Sequence, residues 1–272
     1  DVNADGTPDV IVGAAESHGS SPNGAGRVYI FSGATGNLID SLKSPNERFG
    51  GMFGESVAGI GGDVNADGIP DFIVGAYGED PVSGPFNTTG LAYIFSGATR
   101  NVLDTLVSPN EKNGGRFGKS VDGIRGDVNA DGVPDVIVGA IGEDVSNGLN
   151  GSNAGRAHIF SGATGSILQT LVSPNAGISG SFSGGSVAGI GGDVNADGIP
   201  DVILESYRDA GGRAYFFNGV CAPFTAPYPE NFDTRGSNVI PDNAPLPDCW
   251  NRQIVDASGL ATLVIDAGDN PG

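Results

Sequence analysis

Apolar residues in this chain come in short runs, each closed by Gly, Pro, Asn or Asp. No stretch keeps the i, i+3, i+4 spacing of an amphipathic helix, and none approaches the roughly 18 apolar residues of a membrane-spanning helix. One stretch carries the pattern in full. "SVAGI" (56–60) reads as a short strand, and "DFIVGA" (71–76) is apolar at nearly every place, as expected of a strand buried on both faces. "AYIFSG" (92–97) is a third strand. After the turn "ATRN", "VLDTLV" (102–107) alternates in part, as a half-exposed outer strand does.

This set recurs. "VYIFSGATGNLIDSLKSPNE" (28–47) returns as "AYIFSGATRNVLDTLVSPNE" (92–111) and as "AHIFSGATGSILQTLVSPNA" (157–176), and a shortened "AYFFNG" (214–219) closes the series. The acidic loop ahead of each second strand begins at residues 1, 63, 127 and 193, spacings of 62, 64 and 66. Self-similarity at this period marks a repeat architecture. The predicted fold class is all-β, with β-propeller blades of four antiparallel strands in a partial ring, followed by a truncated β-sandwich segment. A β-solenoid or a row of small sandwiches competes, but four-strand units of this length match blades better than single solenoid rungs.

Composition sharpens this picture. The 47 Gly and 17 Pro make up about a quarter of the chain, a level otherwise associated with disorder. Here they recur in phase with the apolar runs, so they read as turns. The net charge of −19 argues against a nucleic-acid backbone as partner, which requires clustered Lys and Arg. Much of that charge lies in the four loops, and four divalent cations would bring it to about −11. Cys221 and Cys249 are the only cysteines, too few for a disulfide framework or a Cys-based zinc site.

The loop itself is "DVNADGxPD". Its positions 1, 3, 5, 7 and 9 are Asp1, Asn3, Asp5, Thr7 and Asp9 in the first copy and Asp63, Asn65, Asp67, Ile69 and Asp71 in the second. The third has Asp127, Asn129, Asp131, Val133 and Asp135, and the fourth Asp193, Asn195, Asp197, Ile199 and Asp201. Alternate oxygen-bearing side chains around a glycine turn can converge on one point, and the variable seventh position fits a ligand supplied by its backbone carbonyl. Converging carboxylates repel without a cation, and oxygen donors with no His or Cys favour Ca²⁺ over zinc or copper, about one ion per loop. An EF-hand loop requires an acid at position 12, where this chain has Val12, Val74, Val138 and Leu204. The competing reading is a solvated turn that binds nothing, and fourfold recurrence of the same donors weighs against it.

With strand, acidic loop and strand in place, the units resemble FG-GAP repeats, the blades of the integrin α-subunit propeller. Phe-Gly stands at Phe53-Gly54 and Phe117-Gly118, and the Gly-Ala of GAP at Gly13-Ala14, Gly75-Ala76 and Gly139-Ala140. The pattern is broken where Ala15, Tyr77 and Ile141 replace the proline, where Glu205-Ser206 replaces Gly-Ala, and where Phe182 is followed by Ser183. The resemblance covers residues 1–219 and implies a seven-bladed ring with Ca²⁺ between the first and second strands of some blades. It also implies extracellular or cell-surface recognition or adhesion, toward a protein or carbohydrate ligand met on the face opposite the calcium loops. That face would include loops 15–26, 77–90 and 141–155. The chain opens inside a motif and holds three to four units, so the expectation is part of a larger propeller. Residues 220–272 carry no repeat landmark, and "PYPENFD" with "LPDCW" resembles the opening of a MAM-like or anchor-associated jelly-roll surface module, cut short. A Cys221–Cys249 bond would close that segment in an oxidising compartment.

Other chemistry is sparse. His158 stands where other units have Tyr29, Tyr93 and Tyr215, a structural place, and His18 lies in a variable loop. No nucleophile–base pair can be assembled, so the expectation is a non-catalytic protein. "GEDP" (78–81) and "GEDV" (142–145) read as surface acids, with a second ligand or metal site as the alternative. Asn87-Thr88-Thr89 and Asn150-Gly151-Ser152 fit the N-glycosylation pattern. The function expected is a calcium-rigidified module for adhesion or ligand recognition. The alternatives are a structural spacer in a large surface protein and the non-catalytic part of a secreted enzyme.

Overall fold

The computed structural model describes residues 1–15, 24–81, 88–144, 154–173, 182–208 and 212–219, together with the backbone of strands at 254–256 and 261–262. Sixteen strands and no helix are found among them, so no helix is long and apolar enough to cross a membrane. The chain is all-β.

The second unit shows the plan. β4 (Phe53–Gly59), β5 (Phe72–Ala76), β6 (Leu91–Phe95) and β7 (Val102–Leu106) pair antiparallel in chain order. The third unit repeats it with β8 (Phe117–Gly123), β9 (Val136–Ala140), β10 (Arg156–Phe160) and β11 (Ile167–Leu171). The first unit has β1 (Val10–Ala14), β2 (Arg27–Phe31) and β3 (Leu38–Leu42), the second to fourth strands of the plan. In the fourth, β12 (Ser183–Gly189), β13 (Val202–Ser206) and β14 (Arg213–Phe217) are joined by β15 (Ile254–Asp256) in the fourth-strand place, with β16 (Ala261–Thr262) beyond it.

The sheets stack face to face, β4 on β1, β8 on β4 and β5, and β12 on β8 and β9, as blades do. Three apolar layers lie between them. Phe72, Val74 and Ala76 of β5 join Val28, Ile30 and Phe53 on one side, while Ile73 joins Phe117, Val121 and Val138 on the other. All five residues of β5 and of β9 are buried, as their unbroken apolar runs predict. β1 has the same sequence as β9 but is the edge of its sheet, and Val10 and Val12 are exposed.

The first strand starts at Phe53, three residues before the apolar pattern predicts. The Phe-Gly pair opens a bulge: the register passes from Phe53↔Ala76 to Val57↔Val74, and Gly54 has φ of 86°. The bulge meets the neighbouring sheet. A Cβ on Gly13 would lie 1.9 Å from the Gly54 carbonyl oxygen, one on Gly75 2.1 Å from that of Gly118, and one on Gly139 2.2 Å from that of Gly184. The repeated Phe-Gly and Gly-Ala are thus two halves of one blade-to-blade contact that only glycine permits.

Candidate metal centre

The acidic loops of the second, third and fourth units link the first and second strands, that of the first unit leads into its second strand β1, and the same bonds fold all four copies. The position-1 aspartates Asp1, Asp63, Asp127 and Asp193 accept the N–H of Gly6, Gly68, Gly132 and Gly198. The position-3 asparagine accepts the N–H of position 5, at 3.0 Å for Asn65 with Asp67 and 3.1 Å for Asn129 with Asp131. Position 5 in turn accepts the N–H of position 7, at 2.9 Å for Asp67 with Ile69 and for Asp131 with Val133. Turns of this tightness drive the fourth residue into the left-handed region even though it is alanine, with φ of 59° at Ala66 and 61° at Ala130.

Position 9 has a different environment. Asp71 and Asp135 are 2% and 0% exposed, because each immediately precedes the fully buried second strand. Asp71 accepts the Val64 N–H on one oxygen and the Gly97 N–H on the other, both at 2.8 Å; Asp135 does the same with Val128 at 2.7 Å and Gly162 at 3.0 Å. Asp9 repeats the arrangement with Val2 and Gly33, and Asp201 accepts from Val194. The sequence pattern offers these residues as ligands; the structure adds that they tie the loop to the third strand. Each oxygen keeps a further lone pair, so the two roles are compatible.

In the second loop, Asp63, Asp67 and Asp71 each present a carboxylate oxygen, and these three atoms lie within 4.8 Å of one another. Two ligands on opposite sides of a calcium ion are separated by about twice the ~2.4 Å Ca–O distance, so this spread fits one ion. Electrostatics agrees with the geometry. Burial pushes the Asp71 carboxyl above its usual range against the pull of the Gly97 and Val64 N–H groups, and Asp63 and Asp67 push it further. Asp135 is driven up to about 6 for the same reasons, and Asp201 is raised by burial. Asp67 is held in its ionised form by the Asn65 amide, the Ile69 N–H and the Ser96 hydroxyl. A site where some carboxylates are kept charged while a buried neighbour resists charging is suited to a divalent cation. Every donor is oxygen, and the set fits Ca²⁺. At position 7 the N–H of Thr7, Ile69, Val133 or Ile199 points to the position-5 carboxylate, the last of these to Asp197.

Two further groups were not evident as site residues. Ser96 and Ser161, at the end of the third strand, donate hydroxyl hydrogen bonds to Asp67 and Asp131 at 3.0 and 3.2 Å. Their only sequence signal is the recurring "FSG". Glu79 and Glu143, read as surface acids, are instead fully buried. Glu79 accepts the Tyr93 hydroxyl, while Glu143 faces Ser108 and the His158 Nε2, the latter at 3.0 Å. Each links its own third strand to the turn that closes the preceding unit, which excludes a surface role. Asp80 is also buried and pairs with Arg48 at 2.9 Å. His158 is buried in the tyrosine place, with Nδ1 3.0 Å from the Thr170 hydroxyl. Residues 16–23, 82–87 and 145–153 of the expected ligand-facing loops lie outside the described residues, as do His18, Asn87, Asn150, Cys221 and Cys249.

The FG-GAP-like repeat family matches residues 1–79. Integrin alpha-6 of Gallus gallus is 33% identical over 151 residues, covering 54% of this chain and 13% of that protein. Integrin alpha-4 of Xenopus laevis is 26% identical over 206 residues, covering 73% of this chain and 18% of that protein. The chain therefore spans less than a fifth of the length of either relative. Among solved structures, the Dos1 propeller aligns with 72% of this chain and 41% of its own at 16% identity, with a TM-score of 0.40.

Proposed function

We propose that residues 1–219 are a calcium-binding propeller module acting outside the cell or on its surface in adhesion or ligand recognition, without catalysis. Residues 220–272 open a further surface module in this reading, apart from β15 and β16, which extend the sheet of the fourth unit. Calcium is held between the first and second strands of each unit, by the carboxylates at positions 1, 5 and 9, the asparagine at position 3 and the carbonyl at position 7. The ion fixes the loop, and the blade stack presents its opposite loops to a protein or carbohydrate partner. The similarity to integrin α-subunits and to the FG-GAP-like repeat supports the extracellular setting. The observation that carries the metal reading is the convergence of Asp63, Asp67 and Asp71 in a loop that occurs four times.

Calcium titration by calorimetry, paired with melting in calcium and in chelator, tests it. At a Kd of about 10⁻⁴ M and ~1 mM free Ca²⁺, each bound ion adds roughly 1.4 kcal/mol. Chelation is expected to lower the melting temperature, and Asp67→Ala to remove one bound equivalent. Identical melting in calcium and chelator, with no heat of binding, overturns the reading.

A further inference from the structure

In the second and third units the end of the third strand touches two of the three loop carboxylates. Ser96 donates to Asp67 Oδ2, and the next residue, Gly97, donates its N–H to Asp71 Oδ1 at 2.8 Å. Ser161 and Gly162 hold Asp131 and Asp135 in the same way. The glycine is required by packing: a Cβ on Gly97 would lie 1.9 Å from the Pro70 carbonyl oxygen, and one on Gly162 2.0 Å from that of Pro134. The serine hydroxyl is used twice, because Ser96 Oγ also accepts the Thr99 N–H at 3.0 Å and Ser161 Oγ the Thr164 N–H at 3.3 Å. Both serines are buried, while the Asp67 and Asp131 carboxylates they hold are exposed.

The fourth unit alters this one residue. Asn218 takes the serine place and its amide Nδ2 donates to Asp197 Oδ2. Asn218 is 7% exposed, and its Oδ1 is buried with no hydrogen-bond partner. A hydroxyl and an amide share one property needed here, an N–H or O–H donor for the position-5 carboxylate. The amide adds a carbonyl oxygen beside the loop, a group that itself suits a hard cation.

We propose that Ser96, Ser161 and Asn218 are positioning residues of the metal loops, which set the calcium affinity of each unit by orienting its position-5 carboxylate. This rests on the calcium reading above. None of the three needs to touch the ion. By donating to Oδ2 they leave the aspartate fewer orientations to lose on binding, and removing such a partner commonly weakens metal affinity about 10- to 100-fold.

The test is a site-resolved titration of the full chain with Ca²⁺, following the amide signals of Gly68, Gly132 and Gly198 by nuclear magnetic resonance. Each of these N–H groups is bonded to a position-1 carboxylate and reports its own loop. Ser96→Ala is expected to shift the Gly68 midpoint to about 10-fold higher calcium or more, with the Gly132 and Gly198 midpoints unchanged. Ser96→Asn, copying the fourth unit, is expected to restore Gly68 to within about threefold, which loss of a merely structural hydroxyl does not predict. Ser161→Ala, read at Gly132, provides the same comparison should Ser96→Ala fail to fold. A folded serine-to-alanine variant whose own loop titrates as in the unaltered chain overturns the proposal. An unaltered chain in which none of the three glycines responds to calcium overturns the metal reading beneath it, and that outcome is visible before any variant is made.

Discussion

Replacing Glu79 by glutamine is expected to remove a pH dependence from the stability of the chain. Glu79 is fully buried between the second and first units. Burial pushes its carboxyl from the ordinary 4.5 up to about 7, against the pull of the Ser44 and Tyr93 hydroxyls and the Arg48 guanidinium. A group whose folded-state pKa lies above its unfolded value favours folding most below the unfolded value. That contribution is then lost as pH rises through the folded one. For Glu79 the window is pH 4.5 to about 7, and the displacement corresponds to roughly 3 kcal/mol. Glutamine has nearly the same shape, keeps a carbonyl oxygen for the Tyr93 hydroxyl and never charges. At pH 8 the variant should therefore exceed the unaltered chain by up to about 3 kcal/mol, and near pH 4 the two should be close. Urea unfolding followed by circular dichroism, at pH 4, 5, 6, 7 and 8 in saturating calcium, gives the difference directly, and other titrating groups cancel in it. Parallel curves, or a variant less stable at pH 8, refute the assignment of a strained buried carboxylate.

Two other substitutions test the stacking. Gly75→Ala and Gly139→Ala place a methyl group 2.1 and 2.2 Å from a neighbouring carbonyl oxygen and should each cost more than about 2 kcal/mol in urea unfolding. Gly59→Ala, which meets nothing within 4 Å, is the control and should stay within about 1 kcal/mol. His158→Tyr, copying Tyr93, should keep a donor to Glu143 and change the unfolding free energy by less than about 1.5 kcal/mol. His158→Ala leaves a cavity and a buried carboxylate short of a donor, and should cost about 3 kcal/mol by the same measurement.

The strands were legible because each unit repeats its own answer. "DFIVGA" against β5 (Phe72–Ala76) and "VLDTLV" against β7 (Val102–Leu106) differ from expectation by one residue at an end. The first strand was read short because a Phe-Gly bulge has neither period 2 nor period 3.6. The acidic loops were legible as donor sets, since alternate Asp and Asn oxygens around a glycine belong to one segment of chain. What was hidden depends on contacts between segments. Asp71 meets Gly97 across 26 residues, Gly75 meets Gly118 in the next blade, and Ser108 meets Glu143 across 35. "GED" looked like surface because a charged triplet after a strand usually is. Its burial follows from the turn of the preceding unit, which no local pattern reveals.

The departures of the fourth unit sharpen the same point. Its Ser183-Gly184 takes the Phe-Gly place, with Gly184 at φ 80° and Ser183 paired to Ser206 where Phe53 pairs to Ala76. Read one residue earlier, at Phe182, the landmark looks broken; read in register, the glycine is kept and two residues have changed together. Ser183 and Ser206 are fully buried and hydrogen-bonded to each other at 2.9 Å, so the two changed side chains partner one another. The glycine is kept because its φ is +80° and a Cβ on it would lie 2.1 Å from the Arg156 carbonyl oxygen, while the aromatic gives way to a serine that hydrogen-bonds across the same strand pair. Asn218 opposite Asp197 follows the same logic, with the donor retained and the residue exchanged. What the repeat preserves is therefore each contact's physical requirement: a missing Cβ between blades, a donor beside the fifth-position carboxylate, and an oxygen at every second place of the loop.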